Sequence, residues 1–413
     1  MKIGILGAGV VGLTSAWWLA EAGHQVTIVD RHVGPGAEAS AANGAQLSYA
    51  FVAPMASPAM LRKLPFMLIG GDDAIRVSPD LELIRWGINF LRACTRSEVE
   101  RTTAAQLALA ALSRAELAQL MQAQQLEFGL RTAGKLVLYR KASDLADARP
   151  QPGAGVEQRV LSPAECLATE PGLRLEPGEL AGGIYTPSDQ VGDCGAFCAQ
   201  LYARLRQHSN VEVCLGASID RPIISLGILT GVETSGGMIE ADRFVLSLGA
   251  GSKAFAHACG FTLPIYPVKG HSITIHGGDG VALAHSVTDY SRKIVFAPLE
   301  NAAIRIAGFA DFKGYDRALD ASRIATLQQA AARTLGAGGD AAANTEPWAG
   351  LRPMTPDSRP IIGTSPLGGL FLNTGQGMLG WTLACGSARL LTDLIDGKPP
   401  SCPAEPFSVT RYS

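Results

Sequence analysis

The stretch that decides the fold is KIGILGAGVVGLTSAWWLAEAGHQVTIVD, residues 2–30. It starts with a short apolar run, passes through GAGVVG, continues in a segment expected to be helical to about Ala22, and ends in the predicted strand QVTIVD. A strand, a glycine turn, a helix and a second strand ending in an acid form the βαβ unit of a dinucleotide-binding domain. The pattern GxGxxG is weak alone, but in this context it predicts a bound dinucleotide.

Each residue of this turn has its own expected task. Gly7 permits the tight turn, Gly9 lets a pyrophosphate approach the backbone at the positive end of the helix, and Gly12 lets helix and strand pack closely. Asp30 is expected to accept hydrogen bonds from ribose hydroxyls, which argues against a cofactor with a 2′-phosphate. A signal peptide is the competing interpretation, but glycines placed where a turn is needed favour the βαβ unit.

Two further apolar stretches end in glycines. They are RFVLSLGAGS, residues 243–252, and LFLNTGQGMLGWT, residues 370–382. A lone NAD-type domain needs only the N-terminal turn, so an NAD(P)-dependent dehydrogenase is the less favoured alternative. Three such turns suit a larger cofactor held by an early unit, a middle strand and a late turn.

Between these stretches lies a run of alternating segments. LPIYPVKGHSITI, HSVTDYSRKIVFAPLE and AAIRIAGFADF, within residues 263–312, alternate with the period of an antiparallel sheet that has one wet face. Residues 80–127 and about 321–336 are rich in helix formers and predict helices.

Composition limits the class of protein. The chain has 413 residues, 47% hydrophobic and 17% charged, as expected for a globular protein of two or three domains. A formal net charge of -2 provides no electrostatic footprint for nucleic acid. No run of about 20 uncharged apolar residues is present, so no membrane span is predicted.

The cysteines and one apolar segment bear on location. Eight cysteines occur without a CxxC pair, and Cys194 and Cys198 are four apart on an expected helix. We therefore expect no metal site and reduced thiols, which favours the cytoplasm. The proline-broken segment 51–71 has two open interpretations: a buried loop, or a surface that touches a membrane.

Four stretches together resemble the D-amino acid dehydrogenase small-subunit family, FAD-dependent bacterial enzymes of the D-amino acid oxidase and glycine oxidase superfamily. They are GAGVVGLTSAWWLAEAGHQVTIVDR (7–31), EASAANGAQLS (38–48), IYPVKGHSITI (265–275) and the stretch 348–400, which begins WAGLRPMTPDSRP. The resemblance covers essentially the whole chain.

The resemblance implies an α/β fold of two domains. A Rossmann-like FAD-binding domain would be assembled from residues 1–80, 150–260 and 340–413. An α+β substrate domain, with an antiparallel sheet that covers the flavin as in D-amino acid oxidase, would comprise residues 81–149 and 261–339.

The implied activity is oxidative deamination of D-amino acids to 2-oxo acids and ammonia. Electrons would pass through FAD to a quinone or to another acceptor that is not oxygen. FAD is expected to be non-covalent, since WAGLRPM, near which some relatives tether their flavin, holds no cysteine. A peripheral contact with the inner face of the cytoplasmic membrane is compatible with this activity.

Arg352 is the expected clamp for the substrate carboxylate. A guanidinium matches a carboxylate with two parallel hydrogen bonds, and the related glycine oxidases place their carboxylate-binding arginine in the same GLRP stretch. The competing interpretation is a structural arginine paired with Asp357 or with helix carbonyls, and Arg359 is expected to be structural or at the surface. Further catalytic candidates are His271 and Tyr290.

Other predicted site residues follow the same resemblance. Tyr49, Phe309 and Gln376 are candidates for substrate binding, with an ordinary core or pocket role as the alternative, and Lys269 is a candidate for a water-mediated contact with the flavin. The first turn and the strand after it supply the cofactor residues Gly7, Ala8, Gly9, Val10, Val11, Gly12, Asp30 and Arg31. The loop along the flavin supplies Ser40, Ala41, Asn43, Gly44, Gln46 and Leu47, and later segments supply Ile219, Gly249, Gly251, Gly375, Gln376, Gly377, Met378, Leu379, Gly380 and Trp381.

Two positions depart from the family pattern. The chain has GQGMLGWT where the family usually has GHGTLGWT, and His271 where the family often has tyrosine. Gln376 cannot carry a charge and Met378 lacks a hydroxyl, which affects the expected substrate more than the expected cofactor. A cyclic D-amino acid such as D-proline or cis-4-hydroxy-D-proline is compatible with these changes. An oxygen-using glycine or secondary-amine oxidase and a non-catalytic flavin-binding subunit are the alternatives.

Overall fold

The N-terminal βαβ unit has the predicted form. The computed structural model describes residues 1–68, 73–148, 157–276, 282–336 and 345–412. Within it, β1 spans Lys2–Leu6, α1 spans Val10–Glu21 and β2 spans Gln25–Asp30. The strands are parallel neighbours, and α1 is buried along almost its whole length.

A six-stranded sheet is built around this unit. Its other strands are β9 (Val211–Leu215), β13 (Arg243–Leu246), β19 (Ile361–Thr364) and β20 (Leu370–Thr374), in the order β19-β20-β13-β1-β2-β9. All neighbours are parallel except β19 and β20. The three glycine-ended strands β20, β13 and β1 are therefore adjacent, and their turns meet at one edge, because parallel strands end on the same side.

Backbone conformation explains the glycines at these three strand ends. Gly7, Gly249 and Gly375 have φ angles of 114°, 56° and 77°, a region that residues with a Cβ rarely adopt. Each turn lets the chain leave its strand sharply at the shared edge.

A nine-stranded sheet forms the second layer. Its strands are β4 (Ile75–Val77), β5 (Lys135–Tyr139), β6 (Arg159–Leu161), β7 (Gly182–Thr186), β14 (Tyr266–Ile275), β15 (Ser286–Asp289), β16 (Ile294–Pro298), β17 (Ile304–Phe312) and β18 (Thr345–Met354). The order is β18-β14-β17-β16-β15-β5-β7-β6, and β4 also pairs with β17. Neighbours are antiparallel, as predicted, except that β5 with β15 and β4 with β17 are parallel.

The register of this sheet sorts its side chains onto two faces. Paired residues point to the same side, and successive residues alternate. The first face, here the cavity face, carries the aligned row Trp348, Ser272, Ala307, Val295 and Thr288. The opposite face, here the helix face, packs against the helix Ala321–Leu335.

Helices occupy both stretches predicted to be helical, 80–127 and 321–336, and further helices lie elsewhere. The helices are α2 (Pro58–Leu68), α3 (Leu81–Ala93), α4 (Arg96–Gln124), α5 (Ala142–Asp147), α6 (Pro163–Thr169), α7 (Cys194–Leu205), α8 (Ser252–Ala258), α9 (Ala321–Leu335) and α10 (Gly380–Ile395). The helical stretch predicted at 80–127 is two helices, because Thr95 caps α4 by accepting a hydrogen bond from the Glu98 amide at 3.3 Å. None of the described helices is long and apolar enough to cross a membrane.

The remaining elements are short. Strands β3 (Gln46–Leu47) and β8 (Gln190–Val191) pair with each other, and β10 (Ile219–Ser225), β11 (Ile228–Thr234) and β12 (Gly237–Glu240) form a small antiparallel sheet. Short 3-10 helices lie at Pro177–Glu179, Gly249–Gly251, Gly377–Leu379, Glu405–Phe407 and Val409–Tyr412.

Each of the two sheets packs on a large hydrophobic core. One lies between the six-stranded sheet and helices α1, α4, α7 and α10. The second lies on the nine-stranded sheet and includes side chains of helices α3 and α9. The two layers are left with a space between them.

The interpretation of segment 51–71 as a buried loop is wrong for its middle. Residues 58–68 form α2, and most of its side chains between 58 and 65 are exposed. Residues 69–71 lie outside the described residues.

The predicted domain division stays a prediction. Strands β4, β6, β7 and β18 belong to the nine-stranded sheet, although their residues lie in ranges assigned to the FAD-binding domain. The predicted boundaries at 149/150 and 339/340 lie outside the described residues.

Candidate active site

A cavity of about 1020 Å³ lies between the glycine-turn edge of the six-stranded sheet and the cavity face of the nine-stranded sheet. Its volume is at the upper end of the range for small-molecule sites. The predicted site residues that border it are Gly7, Gly9, Val10, Val11, Asp30, Arg31, Ser40, Asn43, Gly44, Gln46, Ile219, Gly249, Gly251, His271, Tyr290, Phe309, Arg352, Gln376, Gly377, Met378, Leu379, Gly380 and Trp381. Those that do not border it are Ala8, Gly12, Ala41, Leu47, Tyr49 and Gly375.

The first glycine turn forms an open cradle at one end of the cavity. A Cβ added to Gly9 would meet only the Ser40 hydroxyl, at 3.5 Å. A Cβ on Gly12 would lie 1.8 Å from the Gly7 carbonyl oxygen. Gly9 therefore leaves room that opens into the cavity, where a pyrophosphate would lie, whereas Gly12 permits helix α1 to approach the turn.

Asp30 lies beside this cradle. Its carboxylate accepts hydrogen bonds from the Ala8 amide and the His32 amide, each at 2.8 Å. The acid thus fixes the glycine turn as well as bordering the predicted ribose position. Its bonds to the turn were not predicted from the sequence.

Glu38 gathers cations near the same end. It pairs with Arg31, with His32 at 3.0 Å and with Arg317 at 2.9 Å. Burial alone would raise the pKa of the Glu38 carboxyl, but hydrogen bonds from His32 and Arg31 outweigh burial and lower it. This cluster joins the loop before β3 to the loop after β17, and its bond to Arg317 had no signal in the sequence because that residue is distant in the chain.

The loop of residues 40–48 runs across the cavity face from β14 to β5. Four side chains of that face hold it by hydrogen bonds. Ser272 donates to the Ala42 carbonyl at 2.7 Å and Arg305 donates to the Asn43 carbonyl at 3.2 Å. Ser286 accepts from the Gln46 side-chain amide, and Lys135 donates to the Ser48 hydroxyl at 3.0 Å. This is the loop predicted to lie along the flavin ring. Its course leaves Gly44 against Val295, where a Cβ would come within 3.2 Å.

The C-terminal glycine turn closes the other side. Gln376 is buried, and its side-chain amide donates to the Asn373 side chain at 2.8 Å. The Ser48 amide donates to the Thr382 hydroxyl at 3.3 Å, so the loop 40–48 and the start of α10 meet there. The two segments predicted to hold the flavin ring are therefore joined directly.

Arg352 lies on the cavity face at the edge of the nine-stranded sheet. Its guanidinium lies across Gly270, where a Cβ would come within 2.3 Å of Nη2, and Nη1 donates to the Phe309 carbonyl at 2.7 Å. Burial lowers the pKa of Arg352 to about 10, although Asp311 partly opposes this shift. Within the described ranges no carboxylate lies within 4 Å of the guanidinium, and Arg352 borders the cavity.

The proposed pairing of Arg352 with Asp357 is wrong. Asp357 pairs instead with Arg359 at 2.9 Å and with Arg411 at 2.8 Å. Arg359 is buried and also bonds Glu98, so it is structural, as predicted, and is not at the surface. These pairs anchor the C-terminal segment and α4 to the turn that follows β18.

His271 is not brought together with Arg352. Although His271 borders the cavity, strand alternation places its side chain on the helix face, with Nδ1 3.9 Å from an Asp311 oxygen. Neither ring nitrogen has a hydrogen-bond partner among the described residues. Burial lowers the pKa of His271 to about 4, so the imidazole is neutral at pH 7.

Phe309 and Lys269 also turn toward the helix face. The Phe309 ring lies 4.2 Å from the Arg323 guanidinium of α9, and its backbone has a φ of 68° at an irregularity in the β14–β17 register. Its carbonyl, not its ring, therefore reaches Arg352. Lys269 pairs with Asp316 at 2.6 Å on the same side, so a contact with the flavin is not supported.

The two tyrosine candidates lie in different places. Tyr49 is buried outside the cavity wall, and its hydroxyl donates to the Gln190 side chain at 3.2 Å. Tyr290 borders the cavity, its ring centroid lies 4.9 Å from that of Tyr139, and the Lys293 ammonium lies 4.3 Å from its centroid. Of the two, Tyr290 alone borders the cavity.

Several lining residues had no signal in the sequence. They include Lys135 at the start of an apolar strand, and Phe51, Met55 and Met60, which lie in the segment with two open interpretations. A lysine at the end of an apolar strand is usually expected to reach solvent. The pairing of β5 within the sheet instead places the Lys135 side chain on the cavity face. In the described part of the chain no cluster of three potential metal ligands occurs, and all eight cysteines are free.

Comparison with known proteins identifies the family to which this architecture belongs. Residues 2–394 match the model of the family described as FAD dependent oxidoreductase. The chain is 42% identical over 430 residues to D-amino acid dehydrogenase 2 of Ralstonia nicotianae, covering 100% of both chains. It is 41% identical over 404 residues to D-amino acid dehydrogenase 2 of Pseudomonas aeruginosa, covering 97% of this chain and 96% of the relative.

Solved structures share the fold at lower identity. Glycine oxidase from Geobacillus kaustophilus superposes with a TM-score of 0.77 at 23% identity, covering 99% of each chain. L-proline dehydrogenase from P. horikoshii superposes with a TM-score of 0.77 at 17% identity, covering 100% of this chain and 97% of the other. These similarities confirm the predicted mixed α/β architecture.

Proposed function

The chain belongs to the FAD dependent oxidoreductase family, and on that premise we propose that it is a D-amino acid dehydrogenase. It would oxidise the Cα–N bond of a D-amino acid to an imine, which water converts to a 2-oxo acid and ammonia, or, from a cyclic D-amino acid, to a ring-opened 2-oxo acid that keeps the amine. The observation that carries the proposal is Arg352, a half-buried cation that borders the cavity and has no carboxylate partner in the described residues. The names of the two bacterial relatives supply the substrate class.

The residues of the cavity suit FAD. The open cradle at Gly9, the acid Asp30 and the joined segments at Ser48 and Thr382 form one continuous wall of backbone and polar groups. Bound FAD supplies the acceptor for the hydride that leaves the substrate Cα. No cysteine is among the described residues that border the cavity, which supports non-covalent binding.

Arg352 would hold the substrate carboxylate. Its Nη1 is fixed by the Phe309 carbonyl and its plane lies on Gly270, so the guanidinium is oriented before substrate binds. A preoriented clamp reduces the ordering cost of binding and fixes Cα relative to the cofactor. Tyr290 and Gln376, which border the same cavity, are the remaining candidates for substrate contact.

We infer that the substrate is a neutral D-amino acid, and a cyclic one such as D-proline or cis-4-hydroxy-D-proline stays a specific hypothesis. Its support is Gln376, whose side chain is neutral and already bonded to Asn373. Support from His271 is weaker, because its ring lies on the helix face. A quinone, and not oxygen, remains the proposed electron acceptor.

The test is a substrate panel. Purified protein is expected to be yellow with releasable FAD, and to reduce a dye acceptor with D-alanine, D-proline or cis-4-hydroxy-D-proline but not with their L-enantiomers. Hydrogen peroxide should stay far below the substrate consumed under air. Stoichiometric peroxide would instead indicate an oxidase, and a flavin that D-amino acids fail to bleach without oxygen would indicate a non-catalytic subunit.

A membrane quinone implies a membrane contact, and α3 is the surface we propose for it. Leu81, Ile84, Ile88 and Leu91 lie along one side of α3 and are between 44% and 77% exposed. Arg85 and Arg92 lie beside them, and no carboxylate of the described residues lies within 4 Å of either. An apolar stripe flanked by cations is typical of helices that lie in a membrane interface. With reduced thiols, this favours the cytoplasmic face of the membrane.

Vesicle binding checks this surface. The double variant Ile84→Ser/Ile88→Ser is expected to bind phosphatidylglycerol-containing vesicles at least about tenfold more weakly, because two large apolar side chains no longer enter the interface. The matched control is Leu226→Ser/Met238→Ser, which removes two exposed apolar side chains from the β10–β12 sheet. Equal sedimentation of wild type and the Ile84/Ile88 variant would contradict the assignment, and dye-linked activity should be unchanged in both variants.

A further inference from the structure

Lys135 is a buried cation that the reaction scheme above does not use. It lies at the start of β5 and is only 4% exposed. Its ammonium donates to the Ser48 hydroxyl at 3.0 Å and lies 4.3 Å from the centroid of the Phe51 ring. Both partners, like Lys135 itself, border the cavity.

Lys135 lies close to the two segments predicted to hold the flavin ring. Ser48 is the residue at which the loop 40–48 bonds the start of α10, through the Thr382 hydroxyl. The ammonium is therefore one hydrogen bond from the junction of the two segments predicted to hold the flavin ring. It lies at the end of that loop away from Ser40 and the pyrophosphate cradle, which is the end where the ring is expected.

The positive charge of Lys135 has no carboxylate in direct contact among the described residues. No carboxylate among the described residues lies within 4 Å of Nζ, and Asp189 acts on it from further away. Burial lowers the pKa of Lys135 to about 8, with Asp189 opposing the shift, so the ammonium form still predominates at pH 7. A buried cation with two donors left over, facing a cavity, is arranged to receive negative charge from whatever occupies the cavity.

We propose that Lys135 is the cation that stabilises the negative charge which the flavin ring gains when it is reduced. This rests on the proposed function for the identity of the cofactor. The transfer of a hydride brings two electrons and one proton to the ring, which leaves it with one net negative charge. Lys135 would hold that charge by proximity, with no transfer of its own proton. The amides at the start of α10 would act on the ring together with it.

Lys135 differs in this respect from the other buried lysine of the same sheet. Lys269 is equally buried but lies on the helix face and pairs with Asp316 at 2.6 Å. Its charge is already balanced on the side away from the cavity. Lys269→Met is therefore a matched control for the loss of a buried lysine from this sheet.

Sulfite binding to the oxidised flavin is the first measurement, because the adduct places negative charge on the ring and needs no amino-acid substrate. Lys135→Met and Lys135→Gln are expected to bind sulfite at least about tenfold more weakly than wild type, since a cation near the ring contributes on that scale. The reduction potential of their bound flavin should fall. Lys135→Arg should stay close to wild type, and Lys269→Met should bind sulfite within about twofold of it.

Three outcomes would overturn the proposal. The first is a neutral variant that retains FAD and binds sulfite like wild type, which would leave Lys135 as a support for Ser48. The second is an equal loss in Lys269→Met. The third is a reduction potential of FAD bound to the wild-type protein that is no higher than that of free FAD. This measurement needs no variant, so it remains decisive if the Lys135 variants fail to hold FAD. None of these depends on D-amino acid turnover, so a failed substrate panel would contradict the proposed function and leave this test intact.

Discussion

Arg352→Ala is expected to lower kcat/KM for the D-amino acid substrate by roughly 100- to 5000-fold, while FAD stays bound. The loss of one partner from a buried charge pair costs about 3 to 5 kcal/mol, and each 1.36 kcal/mol is about tenfold in rate. Arg352 is half-buried, fixed by the Phe309 carbonyl and free of carboxylates in the described part of the chain. The substrate would thus be the anion it pairs with.

The measurement is dye-linked kinetics with the flavin spectrum recorded on the same sample. A normal spectrum with reduced kcat/KM separates a lost clamp from a lost cofactor. Arg352→Lys should recover only part of the loss, because an ammonium cannot form the two parallel bonds of a guanidinium. Turnover of Arg352→Ala at the wild-type rate would place the carboxylate clamp elsewhere.

Gly270→Ala supplies a second test of the same geometry. The added Cβ would come within 2.3 Å of the Arg352 guanidinium, which would have to leave the strand. This variant keeps the charge but moves it, so its kinetic defect should lie between those of wild type and Arg352→Ala. Such an ordering would show that the position of the guanidinium matters, and not its charge alone.

Gly9→Val is expected to give folded but colourless protein. In the structure a Cβ at this position meets nothing of the chain closer than the Ser40 hydroxyl at 3.5 Å, so the protein itself can accommodate a side chain. The side chain would instead occupy the room at the helix terminus where the pyrophosphate must approach. The expected result is a circular dichroism spectrum like that of wild type, with little or no FAD in the purified protein.

Gly12 provides the contrast that makes this result interpretable. A Cβ there would lie 1.8 Å from the Gly7 carbonyl oxygen, so Gly12→Ala should impair folding as well as FAD binding. The two glycines belong to one motif but would fail for different reasons. Yellow Gly9→Val protein with a normal FAD content would contradict the assignment of the cradle.

The local parts of the fold were predictable from the sequence. The βαβ unit at residues 2–30, the helix at 321–335 and the strands within 263–312 follow from periodicity, glycine placement and helix formers, which act over a few residues. The cofactor class followed in the same way, because strand, turn and helix are contiguous in the chain. Arg352 followed from the resemblance of one short stretch.

The neighbours across the site were not predictable in this way. Two strands carry Arg352, His271 and Lys269. Their sequence pattern shows which residues share a face, but it does not show which of the two faces borders a cavity. The pairing of β14 with β18, and the packing of α9 on one side, turn His271 and Lys269 away from Arg352. The same pairing, extended through six strands to β5, turns Lys135 inward.

The sequence by itself therefore determined the dinucleotide unit, the mixed α/β architecture and the presence of three glycine-ended strands. Only the tertiary structure decided that those three strands are neighbours, so that their turns share one edge and serve one cavity. It also decided which buried cations face that cavity. The physical reason is that turns and helices are set by contacts a few residues apart, whereas the facing of a strand is set by partners that are distant in the chain.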